Sequence, residues 1–329
     1  MRRTVSTVVV AALLGLIAPG GLASADQDTG GFAHRDTPCY GAAARDPQHA
    51  CQNPSLRLRV FPDPETALME VSSPCRTTER SEQWSVCVAG ADREVGATHV
   101  ALIGDSHAGH FGPALRVIAD DLGIRVSTIW QPGCPFSAIP PALEAKRSAD
   151  CATWNARVLS WLGDHPEIRT VFLSAHATAR VQPRPGRTRF RTRVEGYRSA
   201  IDALPDSVEH VVVLRDIPGN PVRTSACVAG ALGRGVPAGA ACQVRRTVVL
   251  PRDAEAEAAA EVTSRNAHVV DLTPFMCGRR FCRPVVGGVL VHKDGDHLTT
   301  EFSETLGPYI ERAVSRLRPR VPGFGRSSR

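Results

Sequence analysis

Several features are missing from this 329-residue chain, and each absence argues against a class of function. No CxxC repeat and no paired CxxH spacing occurs, so the ten cysteines do not read as a structural zinc module. Beyond the N-terminus there is no apolar run long enough to span a bilayer, and the mature chain is expected not to cross one. Aromatic residues make up only 5 % of the chain. No stacking platform or nucleic-acid motif accompanies the basic stretches 180–193 and 316–329, so nucleic acid is not the expected partner of the net charge of +6. Those stretches read as a solvated face and a flexible tail, with attraction to an anionic envelope polymer as the functional alternative. Asp294-Gly295-Asp296 lacks the remaining positions of a calcium loop. His107 and His110, beside Asp105, have no convincing third ligand. Neither a metal nor a cofactor is expected.

What is present begins with a leader. Arg2 and Arg3 precede an apolar run from Val8 to Leu16, and Ala23-Ser24-Ala25 offers a small-residue cleavage site. Residues 1–25 therefore read as a secretory signal peptide, which sends the mature protein outside the cell or to the extracytoplasmic envelope. Ten cysteines in an exported chain point to disulfides. They fall as sequential neighbours: Cys39 with Cys51, Cys75 with Cys87, Cys134 with Cys151, Cys227 with Cys242, and Cys277 with Cys282. Sequence alone does not fix that connectivity.

Residues 26–95 lack strong periodicity and read as a disulfide-rich N-terminal extension. From 96 to 318 strands and helices alternate, and 319–329 reads as a basic flexible tail. Short apolar runs predict strands over 99–103, 124–130, 169–174, 209–215 and 268–272. Helical spacing predicts helices over 108–121, 151–165, 194–204, 253–265 and 300–317. Strands without internal alternation, separated by helices, imply a parallel sheet covered on both faces, hence a three-layer α/β/α sandwich in the α/β class. The Pro-, Gly- and Arg-rich stretches 176–193 and 217–250 are expected to be long loops that shape a rim.

The strand ending at Ile103 gives way to Gly104-Asp105-Ser106-His107, and a helical pattern follows at once. A serine at such a turn can expose its hydroxyl and meet backbone N–H groups, although it can equally be an ordinary helix cap. It needs a base, and the base needs an orienting group. Asp294 and His297 supply both within one short segment, with Asp296 as a competitor that reads better as a turn residue.

The segments Gly104-Asp105-Ser106-His107 and Asp294-x-x-His297 resemble the first and last blocks of the SGNH (GDSL-type) hydrolases. The Pro38–Ala44 segment, Gly133-Cys134-Pro135, Cys151-x-x-Trp154-Asn155 and Asp294–Leu298 resemble the branch fused to membrane acyltransferases that O-acylate bacterial envelope glycans. The resemblance implies the sandwich fold and a catalytic triad of Ser106, Asp294 and His297. It also implies oxyanion donors from the Ser106 N–H and Gly133. The family's third donor, an Asn, is absent here; Ser174 or His176 stands nearest its place. The implied activity is that of an exported serine O-acyl esterase or acyltransferase. It would act through an acyl-serine on ester-modified carbohydrate, with acetyl the expected acyl group. Its partners would be an acylated glycan or cell-envelope polysaccharide and, as a candidate, a membrane acyltransferase. The competing class is a non-catalytic glycan-binding envelope module that retains the fold.

Overall fold

Seven strands form one sheet: Thr77–Ser81 (β1), Trp84–Gly90 (β2), His99–Gly104 (β3), Arg125–Trp130 (β4), Ile168–Ser174 (β5), His210–Leu214 (β6) and Asn266–Val270 (β7). Their spatial order is β1-β2-β4-β3-β5-β6-β7. The computed structural model describes residues 37–49, 51–71, 77–81, 84–91 and 97–325. Residues 1–25, expected from the sequence to be a signal peptide, lie outside them, as do Cys75 and residues 326–329. Strands β4, β3, β5, β6 and β7 run parallel, and β2 joins the β4 edge antiparallel.

The central parallel strands β3, β5 and β6 are largely apolar on both faces because each face meets helices. Val100, Leu102, Phe172 and Val212 pack with Leu115, Ile118, Phe302, Leu306 and Ile310, residues of helices Gly112–Leu122 and Thr300–Val314. Ala101, Ile103, Val171 and Val211 pack on the other side with Trp154, Val158, Leu162, Ile201 and Ala259. Those come from helices Ala145–Gly163, Arg189–Asp202 and Ala254–Glu261. Adjacent strand residues thus feed opposite layers, and the fold is the expected three-layer sandwich.

Three details differ from the sequence reading. The segment expected to be an extension up to residue 95 contributes β1 and β2 to the sheet, where Val86 and Val88 are buried. An antiparallel edge hairpin needs only a two-residue alternation, which a short stretch rich in polar residues hides. The tail is docked as far as it is described: Val321 and Phe324 are buried, with the Phe324 ring 5.6 Å from that of Phe172. Its apolar residues are too few to register as a periodic element. The stretch expected to be a loop over 217–250 carries helices Arg223–Gly233, Ala238–Ala241 and Arg246–Val249.

Disulfides join Cys39–Cys51, Cys134–Cys151, Cys227–Cys242 and Cys277–Cys282. Cys87 is also disulfide-bonded, while Cys75 is not among the described residues. No helix among the described residues is long and apolar enough to cross a membrane.

Candidate active site

The site forms at the carboxyl end of the parallel strands. There β3 stops at Gly104, where a Cβ would overlap the Ser174 carbonyl oxygen and crowd Ala108, so only glycine lets the chain turn between β5 and the next helix. Asp105 caps that turn: its Oδ1 accepts from the His107 N–H at 2.8 Å. The same carboxylate accepts the His176 N–H at 3.0 Å, which fastens the segment after β5 to the segment after β3. Ser106 follows, half-buried, as the first residue of the short helix Ser106–Gly109.

Opposite it, the segment after residue 290 brings in His297. The His297 Nδ1–H donates to Asp294, 2.8 Å from Oδ2, and Asp296 Oδ1 stands 3.1 Å from the same nitrogen. Asp294 also accepts the backbone N–H of Asp296 and of His297, at 3.0 and 2.8 Å, so one tight turn presents carboxylate and imidazole together. Burial by itself would lower the His297 pKa, but the hydrogen bonds to Asp294 and Asp296 outweigh it and raise the ring to about 9. The reciprocal effect keeps the Asp294 carboxyl well below its usual range despite its burial.

The remaining nitrogen, His297 Nε2, is buried and has no hydrogen-bond partner among the described residues. The His297 ring centroid lies 5.1 Å from that of His107 and 6.2 Å from that of His110, both on the turn that begins at Ser106. Asp294 and His297 therefore lie at the same end of the sheet as the short helix that begins at Ser106.

The other expected donors fall at the same end. Gly133 is an exposed turn residue with φ +69°, three positions past Trp130, which pairs with Gly104. Ser174, the last residue of β5, is 0 % exposed, and its hydroxyl has no hydrogen-bond partner among the described residues. His176 retains 36 % exposure and stacks on His107, with centroids 4.4 Å apart and planes 16° apart. Of the two residues near the missing Asn position, only His176 is open to a substrate.

A second Asp–His pair was not anticipated. His107 Nδ1 hydrogen-bonds Asp216 Oδ1 at 2.6 Å, with both side chains nearly fully buried. Burial disfavours the charged ring, but the Asp216 carboxylate beside it prevails and the His107 pKa is raised. Asp216 also accepts the N–H groups of Ala177 and Ile217, at 2.7 and 2.8 Å. Its own N–H donates to Asp253 Oδ2 at 2.8 Å, and Asp253 caps the helix Ala254–Glu261. Burial pushes up the Asp253 and Asp105 carboxyls. The available signal was an aspartate two residues after the apolar strand His210–Leu214, at the ligand-binding end of a parallel sheet.

Asp296 is more than a turn residue: its Oδ2 lies 3.9 Å from His107 Nε2 and 3.7 Å from His176 Nε2. Asp216 and Asp296 thus provide the third group that the histidines of the first motif lack in the sequence, and His107, His176 and Asp296 have ligand atoms close enough to face one ion. The 16° stacking opposes that use, since one ion cannot lie in the plane of two parallel rings. The set is better suited to holding protons. A cleft of about 340 Å3 adjoins it, lined by Thr178, Asn220 and Val248 from the two rim stretches expected in the sequence, and by Pro251 just beyond the second.

The sequence model of the family described as SGNH domain (fused to AT3 domains) matches residues 74–312, which includes the β1–β2 hairpin. No curated protein matches the chain. Among solved structures, the chain is similar to the periplasmic domain of the lipopolysaccharide acetyltransferase of Salmonella ser. Paratyphi A. The identity is 15 % over 68 % of this chain and 85 % of that one, with a TM-score of 0.50, a likeness of fold.

Proposed function

Because the chain belongs to the family of SGNH domains fused to AT3 domains, we propose that it is an exported serine O-acyl esterase or acyltransferase acting on ester-modified carbohydrate. The observation that carries this reading is the buried, unpartnered Nε2 of His297, beside the Ser106 turn, on a ring whose Nδ1 is held by Asp294.

In the proposed cycle, deprotonated His297 takes the Ser106 hydroxyl proton at Nε2 while Oγ bonds to the acyl carbonyl carbon. Asp294 keeps the proton on Nδ1 and balances the imidazolium. The tetrahedral oxyanion is met by the N–H groups of Ser106 and Gly133, with His176 as a side-chain donor. Collapse breaks the bond to the sugar oxygen, which leaves with the proton from His297. Water or a second sugar hydroxyl then attacks the acyl-serine, with His297 again taking the proton, and Ser106 is regenerated. The two activities differ only in that last acceptor.

The extracytoplasmic location is supported by the leader-like residues 1–25 and by the disulfides, which persist in oxidising compartments. The lipopolysaccharide acetyltransferase likeness favours an acetylated envelope glycan as substrate, with a membrane acyltransferase as candidate partner. The enclosed Ser174 hydroxyl where the family has an Asn favours the second reading, a glycan-binding module without catalysis. Hydrolysis of p-nitrophenyl acetate decides between them. The wild type is expected to turn over, and Ser106→Ala to lose about a thousandfold or more in kcat/KM. Equal rates in the two proteins would leave the binding-module reading.

A further inference from the structure

A cleft of about 700 Å3 runs beside the disulfide Cys39–Cys51 and shares no lining residue with the cleft at His107 and His176. Arg45, Arg57 and Arg283 line it, and among the described residues no Asp or Glu does. Arg45 also lines a second cleft, of about 530 Å3, together with Arg246 and Arg279 and again without a carboxylate. Elsewhere many arginines are matched by acids, as in Arg312–Asp46, Arg191–Glu261, Arg215–Asp271 and Arg252–Glu257. The nearest acid in sequence, Asp46, is taken by Arg312 through two 2.7 Å hydrogen bonds.

Arg45 is the centre of this unmatched charge. It ends the helical turn Gly41–Arg45, is half-buried, and its Nε is buried without a hydrogen-bond partner among the described residues. Burial lowers its pKa, and the neighbouring Arg283 lowers it further. A partly desolvated cation whose charged neighbour is another cation is unfavourable unless an anion joins them. Two guanidinium forks facing one cleft match the paired oxygens of a carboxylate.

We infer that the two clefts joined at Arg45 bind an acidic polysaccharide, with a uronate carboxylate between Arg45 and Arg283. Sharing of Arg45 between two open clefts favours an extended ligand over a single small ion. Gln52, whose amide can donate and accept hydrogen bonds, lines the cleft with the arginines and suits a hydroxyl-bearing chain. Among the described residues no aromatic side chain lines either cleft, so a nucleic acid would find no base-stacking platform there.

The test is titration of the full chain with galacturonate hexamer, maltohexaose, inorganic phosphate and a single-stranded oligonucleotide, at two salt concentrations. The galacturonate hexamer should bind, weaken with salt, and lose about tenfold or more in affinity in Arg45→Ala/Arg283→Ala. Maltohexaose should not bind, and Ser106→Ala should bind the galacturonate hexamer as the wild type does, so the result stands apart from the acyl chemistry. Thermal melts establish that the double variant is folded; if it is not, the exposed Arg57→Ala and Arg283→Ala single variants carry the measurement. Equal binding of maltohexaose, unchanged affinity in the folded variants, binding of phosphate alone, or tighter binding of the oligonucleotide would each overturn the inference.

Discussion

His107 Nδ1 and Asp216 Oδ1 share a 2.6 Å hydrogen bond that couples the turn carrying Ser106 to the carboxyl end of β6. Through the Ala177 and Ile217 N–H groups the same carboxylate also organises the rims of the adjoining cleft. Asp216→Ala would leave His107 and two backbone donors unmatched in a buried place. A loss of about 3 kcal/mol in urea unfolding is expected. Asp216→Asn, which keeps an oxygen acceptor, should lose less. If the alanine variant changes stability by under about 1 kcal/mol, the pair behaves like a solvated surface contact and does not brace the site.

The raised pKa of His297 gives a pH prediction with a definite sign. The general base must be unprotonated, and at a pKa of about 9 the ring is mostly imidazolium at neutral pH. In the window between 6.5 and about 9, kcat/KM for p-nitrophenyl acetate should rise by about tenfold per pH unit and then level off. Asp296 contributes to the shift by its 3.1 Å contact with Nδ1. Asp296→Asn should therefore move the midpoint to lower pH while Asp294 still orients the ring. A wild-type midpoint at the ordinary histidine value, or a shift upward in the variant, would contradict the two-carboxylate arrangement.

The layers of the fold were legible in the sequence because β3, β5 and β6 are short apolar runs and the helices that cover them keep a strict spacing. The pairing of Asp294 with His297 was legible because both sit in one compact motif whose chemistry requires them together. Asp216 was not, since its partner His107 is far away in the chain and a lone aspartate after a strand is ordinary. Asp296 was read as a turn residue because its second role depends on His107 and His176 folding toward it. The β1–β2 hairpin and the docking of Phe324 were hidden for a related reason: both depend on an edge or a face that only the assembled sheet supplies.

The bridge Cys134–Cys151 fastens the loop that bears Gly133 to the helix Ala145–Gly163. Its two cysteines are 17 residues apart, for which chain-entropy reasoning gives about 3 kcal/mol of stabilisation. Cys134→Ser/Cys151→Ser should lose about that much in guanidinium unfolding, and its kcat should fall as the Gly133 donor becomes less well held. Peptide mapping without reduction of the wild type should recover this pair and join Cys75 to Cys87. Recovery of Cys87 linked to any other cysteine would refute the sequential scheme.

The last expectation concerns what replaces the family's Asn. An oxyanion donor must reach the substrate, and losing one typically costs about a hundredfold or more in kcat. Ser174 is enclosed, whereas His176 is partly exposed, stacked on His107, and anchored by its own N–H to Asp105. Thr178 Oγ1 lies 3.1 Å from His176 Nε2 and helps to fix the ring. His176→Ala should therefore reduce kcat by about a hundredfold with little change in KM, as removal of a contact made only in the transition state does. Ser174→Ala should leave kcat close to the wild-type value. Should both variants hydrolyse p-nitrophenyl acetate at the wild-type rate, His176 is no donor, and the N–H groups of Ser106 and Gly133 carry the oxyanion alone.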